Sequence, residues 1–162
     1  MLELGIDEAT IVLQDNTNNS YVGGESWITQ AEAMIKRYAV LADFEVILGP
    51  QISESVAPAG YTVAYHYGSH NWYLALAYHP DYPRMGVVVK YSAMALDFYL
   101  EKRQIKFYQL MHITDKMYSE RLSRIDFTAD YIDEDIEVAN ISFNIIYLIY
   151  LVLWGSNYGI TN

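Results

Sequence analysis

The chain has 162 residues, 10 Lys and Arg against 20 Asp and Glu, and no cysteine. Its length fits one domain with a real core, or the first domain of something longer, and the missing cysteine excludes disulfide scaffolds, zinc–cysteine knuckles, iron–sulfur sites and cysteine nucleophiles. An apolar share of 52% excludes a disordered chain, and a net charge of −10 argues against a nonspecific polyanion binder without excluding a local basic stripe.

Met1–Leu13 carries Glu3, Asp7 and Glu8 where a signal peptide needs basic residues before an apolar run, so the expected compartment is the cytoplasm. Leu4–Gln14 alternates as a first strand. Ile6, Glu8, Thr10 and Val12 are expected on one face, and Ile11 and Leu13 on the other. Asp15–Gly24 is a loop of turn formers. Ser26 then caps a helix in which Trp27, Ala31, Met34, Ile35, Tyr38 and Leu41 fall at helical spacing. Gly49–Gly60, with two Pro and two Gly, is a second loop.

The centre reads as a meander. Tyr61–Tyr67 and Trp72–His79 flank a four-residue hairpin connection, Gly68–Asn71; Pro80–Arg84 turns the chain and Met85–Tyr91 forms a further strand. Ser92 caps a helix through Ala95, Leu96, Tyr99 and Leu100, and a second helical stretch covers Ile105–Ile113. Arg121–Tyr131 is the last clear strand. The 16 tyrosines suit strands better than helices. Runs of strands with interspersed helices and hairpin-length links predict an α+β fold, an antiparallel β-sheet with helices packed on one face.

Every charged residue lies between Glu3 and Glu137. Residues 1–137 are therefore expected to form one body, and residues 138–162 an uncharged apolar tail of a different kind. Its run Ile145–Trp154 is ten residues long, short of the roughly 20 that a spanning helix needs.

In Arg124–Asp130 the alternation is unbroken. Ile125, Phe127, Ala129 and Tyr131 share one face; Arg124, Asp126, Thr128 and Asp130 share the other. Two aspartates at that spacing are roughly 13 Å apart, too far to bind one ion together. A metal site would take one of them plus donors from neighbouring strands, with His66 and His79 as candidates. The plainer reading is a solvated face on which Arg124 pairs with Asp126 or a neighbour.

Taken together, AGYTVAYHYG, LALAYHP, MGVVVKYSAMAL and RLSRIDFTADYIDEDIEV resemble the N-terminal part of the replication initiation factors of rolling-circle plasmids, integrative elements and phages in Gram-positive bacteria. The resemblance spans most of residues 4–141 and is most specific in the last segment, where the family carries an R-x-D-x-x-x-D-like strand. It implies a metal-dependent nicking and joining enzyme whose tyrosine attacks a phosphodiester at an origin of replication. The partner is origin DNA, single-stranded or hairpin, with a homodimer as an open alternative and no membrane favoured.

Asp126 and Asp130 match the acidic positions of that strand, which makes them the candidate ligands of a divalent cation, Mg or Mn. Lys90 and Arg124 are the candidate DNA-binding residues. Beyond Ile141 the chain departs from the family, and the abrupt loss of charge reads as a truncated or frameshifted reading frame that lacks the nucleophile region. No catalytic tyrosine is assigned, Tyr147, Tyr150 and Tyr158 included, and the chain is expected to be inactive in nicking. A non-catalytic acidic protein-interaction module is the competing reading.

Other chemistry is weakly signalled. The four histidines include no H-x-H pair, no G-x-S-x-G occurs, and Gly23-Gly24 lacks the Lys-Ser/Thr of a phosphate cradle. Lys102, Arg103, Lys106 and Arg121 are further basic residues between positions 90 and 124. Tyr65, Tyr67, Trp72 and Tyr73 are candidates to stack on bases, although strand aromatics more often pack in a core.

Overall fold

The computed structural model describes residues 2–15, 24–52, 56–68, 74–114 and 118–131, without the side chains of residues 2–4 and 129–131. The tail and the hairpin connection of the meander lie outside the described residues. The first strand, β1 (Leu2–Asp15), precedes helices α1 (Glu25–Leu41) and α2 (Phe44–Leu48). Strands β2 (Val63–Tyr67), β3 (Leu74–Tyr78) and β4 (Val87–Ser92) follow, then α3 (Ala93–Arg103), α4 (Phe107–Leu110) and β5 (Tyr118–Tyr131). The strands form one antiparallel sheet in the order β2-β3-β4-β1-β5.

One face of this sheet is apolar because alternate positions are. Ala9, Ile11 and Leu13 of β1, Leu74, Leu76 and Tyr78 of β3, and Val87, Val89 and Tyr91 of β4 all join one core. Helix α1 contributes Trp27, Ala31, Met34, Ile35, Tyr38 and Ala39 to it; α2 adds Phe44, α3 adds Leu96 and Tyr99, and α4 adds Phe107 and Leu110. The fold is thus α+β with its helices on one face of an antiparallel sheet. Phe44 lies at the centre of a ring cluster, 5.3–6.2 Å from Tyr38, Tyr67, Tyr91 and Tyr99. Such tilted and edge-on contacts add to the area those rings bury.

The opposite face is divided. Val12, Ala64, Ala77 and Val88 form a second small core, covered by Ala57 and Tyr61 of residues 56–62. Ile52 is bridged to the edge strand at His66 by two backbone hydrogen bonds. The β4–β1–β5 half carries polar and charged side chains.

Several boundaries differ from expectation. The α1 N-cap is Gly24 rather than Ser26, with no side-chain capping bond. Ala39 takes the buried place expected of Leu41, which is half-buried. Ile6 packs against the main core rather than beside Glu8, because a register shift between Ile6 and Glu8 reverses the alternation there. Residues 105–113 supply one short helix, α4, in place of a longer one. Among the described residues no helix is long and apolar enough to cross a membrane.

Candidate functional site

The sheet register assembles a polar row on the open face. His66 of β2 pairs with Ala75 of β3, Ala75 with Lys90 of β4, Lys90 with Thr10 of β1, and Thr10 with Arg124 of β5. One step along the strands, Ser92 pairs with Glu8 and Glu8 with Asp126. In an antiparallel sheet paired residues point the same way, so these rows define a single patch.

Its charges are linked. Lys90 Nζ is 2.8 Å from Glu8 Oε2, and Arg124 Nη1 is 3.4 Å from Glu8 Oε1. Arg124 also donates twice to Asp126, Nε to Oδ1 at 2.9 Å and Nη2 to Oδ2 at 2.5 Å. Two cations and two carboxylates thus alternate across three strands. The guanidinium's hydrogen bonds hold the Asp126 carboxyl below its ordinary value, and the same bonds, with the charge of Glu8, raise Arg124. Arg124 is more than half exposed, whereas Glu8 and Lys90 are largely covered.

Three of the residues singled out from the sequence, Lys90, Arg124 and Asp126, therefore share one patch. Asp130 is on β5 in register with Glu3, and its side chain lies outside the described residues. His66 is in the same row as Lys90, separated from it by Ala75, and burial lowers its imidazole. His79 is not part of the patch: its carbonyl accepts the Trp27 indole N–H, its Nδ1 accepts the Asp81 N–H, and its ring lies against Tyr82.

The aromatic and basic candidates divide in the same way. Tyr65 and Tyr67 belong to the helix side, where their phenols donate to Glu32 and Gln51, so neither faces the patch. Trp72 and Tyr73 lie outside the described residues. Arg103 is committed to the fold, donating to Tyr99 and to the Leu41 carbonyl and pairing with Asp43 at 3.0 Å. Arg121 is in register with Val12 on the open face, and its charge opposes the rise that burial causes in the Tyr61 phenol.

Glu8, Thr10 and Tyr61 are the members that the sequence did not mark. Glu8 and Thr10 were legible as polar positions of an alternating strand, but only the β1–β5 register brings them to Arg124 and Asp126. A cavity of about 580 Å³ lies elsewhere, on the helix side, lined by Glu32, Lys36, Val40, Val46, Gln51 and Tyr67.

Among the described residues no three or more metal-ligating side chains gather. Glu8 and Asp126, register-paired across β1 and β5, are both engaged by Arg124, and Glu8 by Lys90 as well.

No family model matches the sequence, and no curated protein matches it. Among solved structures the chain is similar to a rolling circle replication initiator protein from Geobacillus stearothermophilus, with a TM-score of 0.56 and 15% identity. The match covers 91% of this chain and 51% of that one, so the chain spans about half the length of that protein. At this identity the likeness is one of fold: the described residues share the architecture of part of a rolling circle replication initiator.

Proposed function

We propose that the chain provides the DNA-holding sheet of a rolling-circle replication initiator, acting on origin DNA in a single-stranded or hairpin form. The carrying observation is the placement of Lys90 and Arg124 together on the open face of an initiator-like fold. Guanidinium and ammonium groups neutralise backbone phosphates, and the fork of Arg124 suits two phosphate oxygens. Thr10, between them in register, adds a hydroxyl donor, and Tyr61 adds an aromatic ring at the border of the patch.

Asp126 or Asp130, one of them and not both on one ion, would contribute to holding a divalent cation, Mg or Mn. Such a cation, when bound, offsets charge that grows on phosphoryl oxygens during phosphodiester transfer. No nucleophile is assigned among the described residues. The chain's own part is to position a strand over the β4–β1–β5 half of the sheet.

The test is binding of a fluorescent single-stranded oligonucleotide as salt is varied. Binding should weaken steeply with salt. Lys90→Gln and Arg124→Gln should each lower the slope of log affinity against log salt by about one phosphate contact. Salt-independent binding, or slopes unchanged in both variants, would favour the acidic protein-interaction module instead.

A further inference from the structure

Lys90, Arg121 and Arg124 share the open face, and they are not held alike. Lys90 is paired with Glu8, and Arg124 with Glu8 and Asp126. Arg121, in register with Val12, is exposed and pairs with no carboxylate among the described residues. A phosphate reaching Lys90 or Arg124 competes with a carboxylate; at Arg121 none of the described carboxylates competes. On β1 the partners of Arg121 and Arg124, Val12 and Thr10, are two residues apart, roughly 7 Å. That is about the step between successive phosphates of an extended single strand.

An aromatic ring stands beside Arg121. Tyr61 packs against the small core of Val12, Ala64, Ala77 and Val88, and Val12 is the residue with which Arg121 is in register. The ring is only half-buried, yet its place is fixed. The Tyr61 N–H donates to the Pro58 carbonyl at 3.0 Å, closing a turn through Gly60 at φ +89°. The next N–H, of Thr62, donates to the Tyr78 carbonyl at 3.3 Å. A ring that rests partly on apolar side chains and partly in water is suited to base stacking. A single strand offers the faces of its bases to such a ring, whereas a duplex keeps them stacked on one another.

We infer that Tyr61 and Arg121 form a nucleotide subsite for single-stranded DNA: Arg121 binds the phosphate next to the one at Arg124, and Tyr61 stacks on the base joined to it. The inference rests on the proposed function and extends it, since a phosphate held by Lys90 and Arg124 requires neither residue. The subsite selects single strand over duplex and reads no sequence, because every base has a π-face.

The test compares variants of the full chain binding a fluorescent single-stranded oligonucleotide as salt is varied. Arg121→Gln should lower the slope of log affinity against log salt by about one phosphate contact. Lys102→Gln removes the same charge from α3, where Lys102 lies over the Phe98 ring, and should leave the slope unchanged. Tyr61→Leu should weaken binding about tenfold with the slope unchanged, whereas Tyr61→Phe, which keeps the ring, should stay within about twofold of the unmodified chain. On a duplex of the same sequence, Tyr61→Leu and the unmodified chain should bind alike.

A strand of abasic sites asks the same question without a substitution near the small core. The unmodified chain should bind it about tenfold more weakly than the ordinary strand. Equal slopes in Arg121→Gln and Lys102→Gln, or abasic and ordinary strands bound alike, would overturn the subsite while the proposed function stands. If the unmodified chain shows no salt-dependent binding at all, the proposed function fails and the subsite with it.

Discussion

Gly86 shows how a single residue lets the start of β4 lie against β1. It opens β4 at φ +73°, and a Cβ there would lie 2.4 Å from the Leu13 carbonyl oxygen and 3.0 Å from Val12 Cγ1. Glycine alone tolerates both the backbone conformation and the close approach. Gly86→Ala should lower stability by about 1–3 kcal/mol, measured by urea denaturation. Because the strain falls where β4 meets β1, oligonucleotide binding should weaken with it. An unchanged midpoint would mean that the two strands separate without cost.

Among the site residues, Arg124 and Asp126 were placed on one face by local alternation alone, because two positions apart on a strand is a covalent relation. Glu8 was not, because its relation to them is a register between strands from opposite ends of the chain. The plainer reading of this strand, in which Arg124 pairs with Asp126 or a neighbour, is what the structure shows, and the neighbour is Glu8.

At the scale of elements, α1 is fastened to the sheet by polar contacts as well as by its apolar face. Glu32 Oε1 accepts the phenols of Tyr65 at 2.5 Å and Tyr78 at 2.7 Å, and Trp27 donates to the His79 carbonyl at 2.8 Å. Glu32→Ala removes the acceptor from two covered donors and should cost about 1–3 kcal/mol in urea denaturation. Burial, followed by the bond and charge of Glu32, pushes the Tyr65 phenol up to about 12. The same variant should therefore let Tyr65 ionise at lower pH, read by its absorbance; an unmoved titration would mean that Glu32 does not act on it.

The long elements α1, β1 and β5 and the short meander strands β2, β3 and β4 were all legible in outline. Helix α1 shows its buried stripe over 17 residues, and in β5 the alternation of Arg124–Asp130 carries Arg124 and Asp126 to one face. Helix α2 has five residues, buries Phe44 and Leu48 once each, and offers no second turn in which a period can be recognised. The irregularity at Ile6–Glu8 was equally hidden, since a bulge reverses a face without any change in residue type.

Over the whole molecule, buried phenols set a limit at high pH. Burial first, then the neighbouring charges and hydrogen bonds, leaves the Tyr99 phenol raised to about 12 and those of Tyr38 and Tyr91 higher still. In the unfolded chain these groups ionise near 10, so above that pH the unfolded state sheds protons that the folded state keeps. Stability from these groups is complete below about 10 and is lost as pH rises toward the folded values. The urea midpoint should hold level to about pH 9.5 and then decline; a midpoint that stays level to pH 11 would contradict the buried phenol cluster.

The same scale bears on the proposed nucleic-acid surface of a chain of net charge −10. Electrostatic recognition depends on the local field of a face rather than on the sum over the chain. On the open face Lys90 and Arg124 are balanced by Glu8 and Asp126, while Arg121 is in register with Val12.

The pairing of β1 has an uneven extent. Strand β4 meets it only from Glu8 to Leu13, whereas β5 accompanies it from Leu2 to Asp15. Residues 2–5 and their β5 partners therefore continue as a two-stranded ladder beyond the end of β4. Ladders of that kind open by local fraying at little cost. In deuterated buffer, the amides of that ladder should exchange well before those of Ala9–Leu13, which lends the acidic end of β5 an adjustability that its root, at Arg124, does not have.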